Sequence, residues 1–427
     1  MEAVLLFSLL LIFIALSIPI GITLGLATGI CLVLTTDIPL TLIAQKSFTG
    51  LDSFPLLAIP FFILAGALMC NGGISRRLVN LAESLVGFIV GGLAMVTVLA
   101  CMFFAAISGS GPATVSAIGS FMIPAMKERK YHGDFAAALT AAAGTIGVII
   151  PPSIPFVIYS VVAMTSIGDM FIAGVIPGIL IGIALMTVCY FTARKRNYLS
   201  SKEPPTLAHV GKAFKESLGA LMVPIIILGG IYGGIFTPTE AAVVAVVYSI
   251  VIGKFVYKEL DWKTLYECLR SSALINGATE FMIGLSMAFS NYLALAQIPA
   301  MIAQWLGSVS QSPVVILLLI NIFLLIVGCF IDNIAAVIIL TPILLPVVTK
   351  LGVDPIHFGI IITVNLAIGF ITPPYGINLF VASAISGESI ENISKQILPF
   401  VLAMTVCLML FTYVPDVSMW LVHLLRH

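Results

Sequence analysis

Two polar stretches rich in glycine and proline interrupt long apolar runs: Ser108-Gly109-Ser110-Gly111-Pro112 and Gly147-Val148-Ile149-Ile150-Pro151-Pro152. Both recur, altered, 222 positions later as Phe330-Ile331-Asp332-Asn333-Ile334 and Gly369-Phe370-Ile371-Thr372-Pro373-Pro374. Between residues 110 and 178 the copies align without a gap, with identical pairs such as Ala113/Ala335, Pro124/Pro346, Gly147/Gly369 and Pro151/Pro373. Proline removes a backbone donor and glycine permits tight turning, so carbonyls such as those of Gly147 and Ile149 can turn inward. With the hydroxyls of Ser108, Ser110 and Thr145 they form a hard-oxygen set suited to Na⁺. The second copy offers Gly328, Asp332, Asn333, Gly369 and Thr372. Half-helices beginning after each interruption, at Ser153, Asn378, Ala113 and Ile334, would gather positive dipole ends that attract a carboxylate.

Asp332 lies between apolar runs, where an unpaired carboxylate costs about 2.5–3.5 kcal/mol, so a functional role is its default reading. Glu240 reads as the third residue of a capping box begun by Thr237. Glu280 stays open between an interhelical hydrogen bond and a functional site. His132 and His357 fall near span ends, where solvation is the expectation. Trp262, Trp305 and Trp420 read as interface anchors. Covalent chemistry finds no support: GxxxxGK[ST], HExxH, GxSxG and a DxxD-like acidic cluster are all absent from the sequence. The seven scattered cysteines fit neither a metal site nor a disulfide framework. Neither an enzymatic role nor a cofactor is expected.

The surroundings of these residues are those of a membrane. The chain has 427 residues, 60% hydrophobic and 9% charged, against about 25% charged in soluble domains. Apolar runs of helical spanning length recur throughout, and alternating strand patterns do not. The expected fold is an all-α polytopic membrane protein. Met1-Glu2-Ala3 leads into a helical pair, 4–17 and 19–35, rather than a cleaved signal peptide. An interfacial stretch (37–52), a span (54–71) and an amphipathic helix at the interface (74–88) follow. Arms 92–107 and 113–126 make a re-entrant hairpin, half-helices 134–148 and 154–165 one interrupted span, and 171–192 a full one. The second half repeats the order: spans 218–234, 238–256 and 273–292, arms 313–329 and 334–348, half-helices 356–370 and 378–386, and a final span 397–414. The units are 1–192 and 218–427, joined by a polar linker, 193–217. Five crossings per half force opposite orientations. With the linker inside, sixteen Lys and Arg residues are cytoplasmic and three (Lys46, Lys350, Arg426) are outside, which decides orientation. The repeats are therefore inverted. Interrupted segments at matching places in two such halves point to a secondary-transporter binding site.

The motifs Gly50-Leu-Asp-Ser-Phe-Pro-Leu-Leu-Ala-Ile-Pro-Phe-Phe-Ile-Leu-Ala-Gly66, Ser108-Gly-Ser-Gly-Pro-Ala-Thr-Val115, Gly147-Val-Ile-Ile-Pro-Pro-Ser-Ile-Pro155, Phe236-Thr-Pro-Thr-Glu-Ala-Ala242, Asp354-Pro-Ile-His-Phe-Gly359 and Thr372-Pro-Pro-Tyr-Gly376 resemble the large, DctM-like membrane subunit of tripartite ATP-independent periplasmic (TRAP) transporters. The resemblance covers nearly the whole chain. It implies Na⁺-driven uptake of an organic acid across the bacterial inner membrane by an elevator motion. Partners would be a separate small four-helix membrane subunit and a periplasmic substrate-binding protein, with no nucleic acid. C4-dicarboxylates and sialic acid are the substrate classes it implies, sialic acid being preferred. The moving domain would be 92–165 plus 313–386, the outer helices (1–35, 171–192, 218–256 and 397–414) forming scaffold. On this reading Ser108, Ser110, Thr145 and Gly147 line one cation site, and Gly328, Asp332, Gly369 and Thr372 the other. Ser153, Asn333, Tyr375 and Asn378 face substrate. A stand-alone cation-coupled carrier of organic anions, needing no binding protein, is the alternative.

Overall fold

A computed structural model of the protein describes residues 2–198, 206–310, 312–373 and 376–425. Among the described residues the regular structure is entirely helical. The first half holds α1 (Glu2–Ala15), α2 (Ile20–Thr35), α3 (Thr41–Leu51), α4 (Ala58–Asn71), α5 (Ile74–Val86), α6 (Gly92–Ser108), α7 (Gly111–Glu128), α8 (Gly133–Gly144), α9 (Ile154–Ala163) and α10 (Ile167–Lys195). The second holds α11 (Leu207–Tyr232), α12 (Pro238–Val251), α13 (Trp262–Leu295), α14 (Ile298–Val309), α15 (Pro313–Gly328), α16 (Asn333–Lys350), α17 (Pro355–Gly369), α18 (Ile377–Ser386), α19 (Ile390–Tyr413) and α20 (Asp416–Leu425). Among the described residues six helical segments are long and apolar enough to cross a membrane, the hairpin arm α16 included, while the arms α6 and α15 and the half-helices α9 and α18 are shorter. Local chemistry sets many of the starts. Ser166, Thr206, Thr237, Asp261, Asp354 and Ser389 each accept a backbone N–H of the first helical turn through a side-chain oxygen, satisfying donors that would otherwise be orphaned.

The duplicated elements pack by exchange. Half-helix α9 of the first repeat lies on hairpin arm α16 of the second, and α18 of the second lies on α7 of the first. Likewise α8 packs on α19 and α17 on α10, and α10 and α19 pack on each other. Polar contacts sort by membrane side as the inverted arrangement requires. At the end assigned to the cytoplasm, Lys127 pairs with Glu388 at 3.2 Å. There Gln396 accepts from Arg196 and donates to Asp134. At the opposite end Tyr159 donates to the Pro355 carbonyl, Tyr413 to that of Val314 and Thr239 to that of Phe54.

Three elements differ from expectation. The linker drawn over 193–217 is helical at both margins, because α10 runs to Lys195 and Thr206 caps α11. Its lysines Lys212 and Lys215 are the watery first turns of a helix whose apolar part starts later. Helix α13 continues down to Trp262, a 34-residue helix longer than a span needs. The segment 74–88 is helical and amphipathic, but Ile74, Leu78, Leu81 and Ala82 are buried, against α6 and α11.

Candidate transport site

The first hairpin turns at Gly109, held at φ +62°, a left-handed conformation that glycine adopts without steric penalty. The turn docks on the helix break of its own repeat, since the Gly109 carbonyl accepts the Ile154 N–H at 3.2 Å. Ser108 Oγ lies 2.9 Å from Thr114 Oγ1, and Thr114 donates to the Ser110 carbonyl at 2.8 Å. Beyond α8 the chain tightens into a 3₁₀ turn, Thr145–Val148, carrying Gly147 against the hairpin. A Cβ at Gly147 would lie 2.5 Å from both Ser110 O and Thr114 Oγ1, so only a glycine allows that approach. Ser108, Ser110 and Gly147 are thus brought together. Thr145 is next to them in the chain, but its hydroxyl donates to the Ala142 carbonyl at 2.6 Å and faces Met404 of α19.

The second hairpin and break meet even more closely. A Cβ on Gly369 would run into the Gly328 carbonyl oxygen, and one on Gly328 would lie 3.2 Å from Gly369 Cα. Asp332 is half-buried and caps α16, accepting the Ile334 N–H at 3.0 Å. Thr372 donates to the Ile368 carbonyl at 2.8 Å. Gly328 and Gly369 therefore join directly, while Asp332 and Thr372 each act on their own helix end.

The four residues expected to face substrate divide. Ser153 is fully buried and internally satisfied, donating to the Val148 carbonyl and accepting from Phe156 N. Asn378 donates to the Ala141 carbonyl at 3.0 Å, yet its Oδ1 has no partner. That oxygen sits 3.4 Å from where a Cβ on Gly111 would be, so it reaches the first hairpin from the second repeat. Asn333 is 1% exposed, and both its amide atoms are unpartnered. Tyr375 lies outside the described residues. A buried, unpaired amide group costs about 1–3 kcal/mol, so groups of this kind mark a place where something else completes the bonding.

Other residues settle into plainer roles, or into roles the sequence did not suggest. Glu240 completes the capping box, its carboxylate accepting the Thr237 N–H at 2.8 Å. His357 is buried, not solvated, because α17 carries it inward against α19; its Nε2 lies 2.8 Å from the Phe411 carbonyl. His132 is exposed and its Nδ1 contacts the Tyr198 hydroxyl. Glu280 is half-buried and has no hydrogen-bond partner among the described residues. Thr114, at the centre of the first tip, stands inside the motif quoted above yet was not singled out. A buried polar chain also went unnoticed: Asn365 donates to Asn321 at 2.8 Å, which donates to Thr412 at 2.9 Å. Asparagines inside apolar runs were the available signal.

Two inverted repeats, each with a re-entrant hairpin and a broken helix whose tips meet inside the protein, define a helical membrane transport protein. The chain matches the family model described as "Tripartite ATP-independent periplasmic transporter, DctM component" over residues 7–417. It belongs to that family, whose members are transporter permeases. It is 49% identical over 415 residues to the isethionate TRAP transporter permease protein DctMQ of Oleidesulfovibrio alaskensis, covering 97% of this chain and 65% of that one. The chain thus spans just under two-thirds of that relative's length. It is 45% identical to the C4-dicarboxylate TRAP transporter large permease protein DctM of Pseudomonas aeruginosa, over 88% of each. Against the sialic acid TRAP transporter large permease protein SiaM of Vibrio cholerae it is 39% identical, over 95% of each. In fold it resembles the YdaH transporter of Alcanivorax borkumensis, with a TM-score of 0.63 at 17% identity, over 90% of this chain and 88% of that one.

Proposed function

We propose that this chain is the membrane-spanning permease of a Na⁺-coupled uptake system for a small organic acid anion, working in the bacterial inner membrane. A periplasmic substrate-binding protein delivers the acid, a small membrane subunit completes the assembly, and no cofactor beyond the coupling ion takes part. The observation that carries the reading is a pair of buried amides with unpaired atoms: Asn333 at the second hairpin, with neither atom bonded, and Asn378 beside the first, with Oδ1 free. The Asn333 Nδ2 can donate to an anion's oxygen, beside helix N-termini that favour negative charge, while the free Oδ1 atoms of Asn333 and Asn378 can accept from a hydroxyl or face a cation. The oxygen cluster of Ser108, Ser110, Thr114 and Gly147 would take one Na⁺. Gly328, Asp332, Gly369 and Thr372 would supply the other site, while Thr145 and Ser153 would hold the backbone of the first repeat's break.

The moving unit in this proposal holds both hairpins and both broken helices, 92–165 plus 313–386, together with α10 and α19. These two helices were expected in the scaffold. They pack on α8, α17 and each other, and on that ground the proposal moves them with the repeats. A relative for isethionate matches at 49% and one for C4-dicarboxylate at 45%, while other C4-dicarboxylate relatives (40–41%) and the sialic acid ones (39–41%) match alike, so the substrate panel holds all three classes.

Reconstitution into proteoliposomes with the binding protein and small subunit tests this. An inward Na⁺ gradient should drive uptake of one acid from a panel of isethionate, C4-dicarboxylates and sialic acid. Uptake unchanged by collapsing the gradient, or proceeding without the binding protein, would refute the coupling or the tripartite assembly respectively.

A further inference from the structure

A pocket of about 250 Å³ opens between the amphipathic helix α5 and the first hairpin, well away from the hairpin tips. Arg76, Asn80 and Glu83 of α5 line one wall, and Phe121, Glu128 and Arg129 of the hairpin the other. Its polarity is ordered by depth. Glu128 and Arg129 stand at the end of α7 assigned to the cytoplasmic surface. Phe121, seven residues further in, lies about 10 Å deeper at the helical rise of 1.5 Å per residue. The pocket is therefore charged at headgroup level and apolar at acyl level.

Its charges are also unevenly committed. Glu83 and Arg129 are engaged within the protein. Arg76, Asn80 and Glu128 are exposed and have no hydrogen-bond or ion-pair partner among the described residues. A free guanidinium beside a free amide suits a phosphate diester, and a free carboxylate across the pocket suits an ammonium. Basic pockets between helices on the cytoplasmic side commonly receive lipid headgroups, but the acidic wall here disfavours a purely anionic one.

We propose that this pocket binds a phosphatidylethanolamine-type phospholipid from the inner leaflet. Arg76 and Asn80 hold the phosphate, Glu128 the ammonium, and Phe121 borders the acyl chains. The bound lipid bridges α5 to the hairpin. The proposal rests on the orientation read from the charge distribution but not on any substrate or coupling ion.

The test uses the complete transporter complex, delipidated in detergent. Binding of phosphatidylethanolamine, phosphatidylglycerol and phosphatidylcholine is read by native mass spectrometry and by thermal shift, with inorganic phosphate as a competitor. Phosphatidylethanolamine should bind most tightly. Arg76→Gln should weaken it roughly tenfold, the loss expected for one charged hydrogen bond, and Glu128→Gln should erase the preference over phosphatidylglycerol. If Arg76→Gln unfolds more easily in lipid-free detergent, Asn80→Ala, at an exposed position, replaces it. Equal binding of all three lipids, full competition by inorganic phosphate, or unchanged binding by the variants would overturn the proposal. Because no transport is measured, failure here leaves the proposed function standing, and the reverse holds too.

Discussion

A methyl group on Gly147 would lie 2.5 Å from the carbonyl oxygen of Ser110, so the first broken helix and the first hairpin meet backbone against backbone. Gly147→Ala should therefore force the two backbone segments apart. Overpacking of this kind costs about 1–3 kcal/mol. The Na⁺ concentration for half-maximal uptake should rise about tenfold, the equivalent of 1.4 kcal/mol, and an unchanged Na⁺ dependence would remove Gly147 from the cation site.

Thr114 separates oxygen chemistry from packing. Thr114→Val keeps the shape but removes the 2.9 Å contact to Ser108 Oγ and the 2.8 Å bond to the Ser110 carbonyl, leaving Ser108 only its longer contacts to Ser110; each lost hydrogen bond costs about 0.5–1.5 kcal/mol. Thr114→Ser keeps the hydroxyl. Uptake titrated with Na⁺ should be impaired by the valine and nearly normal with the serine.

Asn333 predicts an unusual split between stability and function. Its side-chain amide bonds to nothing among the described residues, so Asn333→Ala removes no hydrogen bond there and relieves a desolvation cost. Thermal unfolding in detergent should be within about 1 kcal/mol of wild type, while uptake falls by at least about tenfold. Equal loss of both would make Asn333 a structural residue.

The capping box offers the opposite case. Thr237→Ala should cost about 1 kcal/mol of stability, as losing an N-cap does, and leave the Na⁺ dependence of uptake unaltered. A shifted Na⁺ dependence would show that Glu240 does more than cap.

Orientation can be measured directly. Cysteine introduced at Lys127 should react with an impermeant thiol reagent from the cytoplasmic side only, and cysteine at Thr349 from the opposite side only. Removing Lys127 also breaks its 3.2 Å pair with Glu388, a partly exposed contact worth about 0.2–1 kcal/mol, so the protein should remain folded. Labelling of both positions from one side would end the inverted-repeat reading.

Much of the architecture is written along the chain. Helix content, the broken segments and the duplication follow from apolar runs punctuated by Gly109, Gly147, Pro151 and their counterparts, because backbone breaks inside a membrane are tolerated only at special sites. Lysine and arginine placement supplied the expected orientation that thiol labelling tests. The capping role of Glu240 was also readable, since Thr237 and Glu240 are three residues apart and the motif is local. His357 was misplaced because its burial depends on α19, which is distant in sequence.

The site itself was legible only as a neighbourhood. Sequence named Ser108, Ser110, Gly147, Asn333 and Asn378 from their types and their positions at breaks. It could not tell that Thr145 turns toward Met404, that Ser153 satisfies its own helix, or that Thr114 occupies the centre of the first tip. Nor could it show that α10 and α19 pack with the repeats. Hydropathy and backbone punctuation act over a few residues and survive in a linear reading. Which hydroxyl finds a partner, and which amide is left without one, depends on how α7 meets α18 and α9 meets α16, and only packing between distant segments decides that.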